Sequence, residues 1–212
     1  MDLKKKYQLN GFLISEFKNK KPLLKCKEIT NDFFNKSDSY YSSITDEEYR
    51  QIVLDCTKAI NQEKIQKQIV DNEKLFFDKL IAKKLKIQSV VYFRTARPHN
   101  PKHIQEQLDF HRETFYSDFD YIKKQFNFWF PIKNLTKKNS MMYIPYSHKI
   151  DDKKIKTKTI SSEKSGVERF STGHKIGLLY NPKKIIEGVD FNCQKSLFVP
   201  EGSFVIFSSM LI

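Results

Sequence analysis

The residue types best suited to chemistry stand together in Leu108-Asp109-Phe110-His111-Arg112-Glu113-Thr114-Phe115. On an extended strand, side chains two apart project to the same face. His111 and Glu113 can then offer an imidazole and a carboxylate to one point, while Arg112 faces away. A 2-His-1-carboxylate triad for non-haem Fe(II) takes two of its three ligands in that way, and leaves positions open on the metal for other groups. Taken alone, a His and a Glu two apart fit a solvated strand face equally well.

The surrounding elements must position such a pair. Up to about residue 86 the chain reads as helices. Thr45-Asp46-Glu47-Glu48 has the form of a capping box, followed by Tyr49, Ile52, Val53, Cys56 and Ile60 on one helical face. A second helix is expected from near Asn61, with Ile65, Ile69, Leu75, Phe76 and Leu80 on its apolar side. From residue 87 onward the pattern changes to short apolar runs broken by turn residues. Expected strands cover 89–94, 108–113, 126–132, 140–145, 175–179, 196–199 and 203–207, and residues 151–172 read as a long polar loop. Helices first and strands afterwards point to a jelly-roll sheet buttressed by N-terminal helices.

Several ordered pieces support a more specific reading. Tyr92-Phe93-Arg94-Thr95-Ala96-Arg97-Pro98 precedes the His111 pair. After it come Phe126-Asn127-Phe128-Trp129-Phe130-Pro131-Ile132, then Pro145-Tyr146-Ser147-His148, then Gly202-Ser203-Phe204-Val205-Ile206-Phe207. This set resembles the phytanoyl-CoA dioxygenase-like superfamily of Fe(II)/2-oxoglutarate-dependent oxygenases, which includes ectoine hydroxylase and streptomycin-biosynthesis-type oxygenases. The resemblance runs from about residue 88 to the end. It implies an α+β, mainly β fold: a double-stranded β-helix (jelly roll, cupin-like) behind N-terminal buttressing helices. It also implies Fe(II) as cofactor, 2-oxoglutarate as co-substrate, O2, and hydroxylation of a small-molecule substrate.

Carried over by position, His111 and Glu113 become the proximal metal ligands. Trp129 falls where the family places an aromatic beside the co-substrate. Pro145 to His148 matches a P-G-S-H turn with Tyr146 in place of Gly, and that His is not a ligand in the family. Ser140 and Ser203 replace the usual Gly and Asp of their turns. The spacing from Phe207 puts the distal ligand directly after Ile212, so the chain is expected to be C-terminally truncated, with His as the next residue. Within the chain the alternative distal ligand is His174, between Gly173 and Gly177. Arg94 and Arg97 are candidate anchors for a carboxylate, or equally salt-bridging residues at the barrel rim. His99 and His103 flank a proline turn and read as surface residues.

Composition sets the outer bounds. The 212 residues are enough for one domain, with 1–86 as its helical part and 87–212 as its jelly-roll core. The formal charge is +13, which raises nucleic acid as a partner. Only 5 of the 38 basic residues are Arg, however, and Arg is what base and phosphate recognition favours. The scattered lysines are read as a solvated surface. Cys26, Cys56 and Cys193 form neither a disulfide framework nor a zinc pattern, and no run of about 20 apolar residues suits a membrane helix. A cytoplasmic enzyme is expected, with no membrane partner. The alternatives are a non-catalytic jelly-roll binding module and a basic nucleic-acid-binding protein.

Overall fold

The computed structural model describes residues 2–80, 91, 93–95, 110–116, 125–159 and 183–212. The first helix, α1 (Leu3–Asn10), ends at Gly11, whose φ of 79° lets its N–H turn back onto the Tyr7 carbonyl at 2.7 Å. A residue with a Cβ adopts that left-handed conformation only at a cost. Directly after it comes β1 (Phe12–Glu16), a strand inside the stretch expected to be helical. Local pattern does not reveal it because its partner is β7, nearly 200 residues away in the chain.

Five helices follow. In α2 (Lys21–Phe33), Pro22, Leu23, Cys26, Ile29 and Thr30 are buried at the three-to-four residue spacing of one helical face. A short α3 (Asp38–Ser43) is capped by the Ser37 side chain, and α4 (Asp46–Gln62) opens with the expected capping box. There the Glu48 N–H donates to Thr45 Oγ1 at 3.2 Å and the Thr45 N–H donates to Glu48 Oε2 at 2.8 Å. The expected second long helix is instead two, α5 (Ile65–Asn72) and α6 (Lys74–Leu80). They break at Glu73, a buried residue whose carboxylate accepts the Lys18 N–H at 2.7 Å. Ile65, Ile69, Phe76 and Leu80 are buried as the stripe requires, whereas Leu75 points to solvent.

The remaining strands are β2 (Phe126–Trp129), β3 (Met141–Tyr143), β4 (Lys156–Thr159), β5 (Lys183–Glu187), β6 (Lys195–Leu197) and β7 (Ser203–Ser208). They form three antiparallel sheets, ordered β1-β7-β2, β3-β6 and β4-β5, and none closes on itself among the described residues. β7 is the centre of the largest. Phe204 and Ile206 project into the helices, joining Leu13, Phe17, Cys26, Cys56, Phe76 and Phe77 in the main core. Val205, one residue out of phase, faces the other way and packs with Leu197, Val199, Trp129 and Met141. Both faces of β7 are therefore covered, which is why Phe-Val-Ile-Phe reads as a continuous apolar run instead of an alternating one.

Two further expectations change. Residues 151–159 are not loop throughout: after a single 3-10 turn at Asp152–Lys154, β4 pairs with β5. Lysine-rich strands such as Lys-Thr-Lys-Thr carry no apolar alternation, so their pairing is legible only from Ile155 and Ile185. Those two side chains enter a small cluster with Ile144 and Ile212. The other change is at 108–113. Its described part is not strand; an irregular stretch there leads into a 3-10 turn at Glu113–Tyr116. The expected strand 175–179, residues 89, 90 and 92 of the expected strand 89–94, and residues 160–172 lie outside the described residues, and the described residues 91, 93 and 94 are not in a strand. No described helix is long and apolar enough to cross a membrane.

Candidate functional site

The site begins with Phe110, whose ring packs against Phe191 at 5.6 Å between centroids and joins the cluster around Ile212. This contact anchors the chain just ahead of His111. Two residues on, the Glu113 N–H donates to the Ser209 carbonyl at 3.1 Å, immediately past the end of β7. The segment is thus fixed by a ring on one side and a backbone bond on the other.

Between those points His111 and Glu113 converge. His111 Nε2 lies 3.7 Å from Glu113 Oε1, with the side chains 22% and 44% exposed. Both side chains keep some solvent exposure. The strand geometry used to expect this convergence is absent, yet the two groups meet. Glu113 is held below the usual carboxylate range, chiefly because His111 donates toward it. At 3.7 Å this is a long charge-assisted contact and not a full hydrogen bond. Burial opposes the shift, while the charges of His111 and of Arg94 add to it. Glu113 is accordingly an anion at neutral pH, the state in which a carboxylate binds a metal.

Arg112 projects away from this pair into the protein and is wholly buried. Its guanidinium donates to Asp152 Oδ1 at 2.5 Å and to the Ser147 carbonyl, and its Nε has no hydrogen-bond partner. Burial pushes the Arg112 pKa down, against the neighbouring Asp152 and Asp151 charges. Sequence reasoning placed Arg112 on the far side but gave it no role. The one available signal was its position between two candidate ligands in a chain with only five arginines.

The other expected residues divide. Arg94 is exposed and close enough to Glu113 to act on its charge. Trp129 is on β2, opposite Val205 and on the sheet face turned away from the helices. His148 has a packing environment: its Nε2 lies 3.1 Å from the Gln8 carbonyl and its Nδ1 is buried without a partner. Burial, foremost, holds its pKa below the ordinary histidine value. Arg97, His99, His103 and His174 lie outside the described residues.

The donor pair can be tested against a metal ion. Two ligand atoms each about 2.1 Å from one ion lie about 3.0 Å apart at a right angle and about 3.4 Å apart at a tetrahedral angle. The observed 3.7 Å is a small side-chain rotation from either. In type, charge and spacing the two residues fit a divalent metal as partial ligands. Among the described residues no group of three or more His, Cys, Asp or Glu side chains converges on one point. Comparison of the chain with protein families, curated proteins and solved structures finds no match.

Proposed function

We propose that the protein is an Fe(II)- and 2-oxoglutarate-dependent oxygenase of the double-stranded β-helix type, acting on a small molecule. The observation that carries this reading is the convergence of His111 and Glu113, one neutral-capable donor and one anion, at 3.7 Å. Support also comes from the Ser209 carbonyl, which ties the end of β7 to the Glu113 backbone. The resemblance requires the last metal-bearing segment to lie beside the proximal pair in this way.

His111 and Glu113 would hold the metal, and Arg94 would offer a guanidinium to a carboxylate of the co-substrate. When bound, Fe(II) supplies O2 activation, with 2-oxoglutarate oxidised to succinate and CO2 as one oxygen atom passes to the substrate. The protein's own contribution is to fix the two donors and to set the charge at Glu113. Within the chain, the candidate third ligand is His174.

The experiment is Fe(II)-dependent succinate formation from 2-oxoglutarate, measured on wild type, His111→Ala, Glu113→Ala and His174→Ala. His111→Ala and Glu113→Ala should each abolish it. If His174→Ala silences it as well, the third-ligand role belongs to His174. Absence of iron-dependent succinate from the wild type would remove the oxygenase reading and leave a binding module in its place.

A further inference from the structure

Arg112 is the largest side chain that is wholly buried among the described residues. A buried guanidinium needs partners to offset its lost hydration. It finds them in Asp152, at the turn leading into β4, and in the carbonyl of Ser147. Ser147 is itself buried, and its Oγ accepts the Ile212 N–H at 2.9 Å. Arg112 thus ties its own segment to the 147–152 stretch, which in turn holds Ile212, and that arginine is the residue between His111 and Glu113.

We propose that Arg112 is the positioning residue of the His111–Glu113 pair, drawn into the protein by Asp152 and Ser147 so that its two neighbours are turned outward together. The proposal rests on the reading of that pair as metal-holding, but its geometric content stands apart from any metal. The segment is not strand, so no sheet ladder enforces the shared direction of residues 111 and 113. The planar fork of Arg112 supplies that constraint, since it engages two acceptors at once. A lysine at this position retains the charge but offers a point donor on a flexible stem. The Phe110 ring and the Glu113–Ser209 bond would still hold the two ends of the segment, but the turn at residue 112 that aims the two side chains would lose its two-acceptor fork.

The test uses the 212-residue chain without metal. The readout is the nuclear Overhauser cross-peak between the His111 ring and the Glu113 methylenes, in wild type, Arg112→Lys and Asp152→Asn. The proposal expects a clear cross-peak in wild type, its loss in Arg112→Lys and a weakened one in Asp152→Asn. A merely structural arginine would lower the melting temperature and leave the cross-peak of the folded protein intact. Should Arg112→Lys fail to fold, Asp152→Asn alone decides. A wild-type cross-peak in the folded variants overturns the proposal. Co(II) titration of the same proteins and of His111→Ala separates the two claims, with at least tenfold weaker binding expected in Arg112→Lys and His111→Ala. If His111→Ala binds Co(II) as wild type does, the metal reading falls while the cross-peak still decides the role of Arg112.

Discussion

Gly11 and His148 are in contact across the protein, so that a Cβ built on Gly11 would lie 2.5 Å from His148 Nδ1. The glycine that ends α1 therefore also makes room for an imidazole from the turn after β3. His148 in turn reaches the Gln8 carbonyl, one helical turn from the same cap. The contact gives His148 a packing role. It also makes that role measurable.

The first prediction is a substitution series. Gly11→Ala places a Cβ in the left-handed region, at φ 79°, and against the ring. The backbone part alone should cost about 1–2 kcal/mol, with the ring contact adding to it. In a His148→Ala background the ring part vanishes, so chemical denaturation should show a smaller penalty for Gly11→Ala there. Equal penalties in the two backgrounds would mean the contact carries no energy.

A second prediction concerns pH. Burial keeps the folded His148 pKa below its unfolded value, which is about 6.5. Where pH lies between the two values, the unfolded chain binds a proton that the folded chain refuses. Stability from this residue is therefore complete above about pH 6.5 and declines as pH falls below it. Urea midpoints measured from pH 8 to pH 5 should drop, and His148→Gln should flatten the lower part of that curve. An unchanged slope in the variant would contradict the assignment.

The thiols offer a third. Burial raises the Cys26 pKa to about 12, with the neighbouring Cys56 adding to the shift, and raises Cys56 to about 11. Both side chains are enclosed by the main core. Cys193 is exposed, although Asp190 pushes its thiol up as well. At pH 8 a disulfide reagent should titrate one thiol in the native protein and three after unfolding. Three rapidly reacting thiols in native protein would show that α2 and α4 do not pack as described.

The parts of this structure legible in sequence are those set by local pattern. The Thr45–Glu48 box, the Ile65, Ile69 and Phe76 stripe, and the apolar run of β7 all follow from spacing within one segment. What escaped notice is set by distant partners. β1 exists because β7 pairs with it, and five residues after a glycine cannot announce that. The α5–α6 break depends on Glu73 meeting Lys18, and the β4–β5 pairing is hidden by lysines. At the site, the sequence identified His111 and Glu113 but gave the wrong reason for their meeting. Strand alternation does not apply there; the Glu113–Ser209 bond and the buried Arg112 fix the segment instead.

The central claim is that His111 and Glu113 hold a divalent metal, and anaerobic Fe(II) titration in the presence of 2-oxoglutarate tests it most directly. The readout is the visible charge-transfer absorption of an iron-bound 2-oxo acid, recorded for wild type, His111→Ala, Glu113→Ala and His148→Ala. The account predicts a saturable signal in wild type and His148→Ala, weakened at least tenfold in the other two. No signal in wild type, or the same signal in all four proteins, would contradict it.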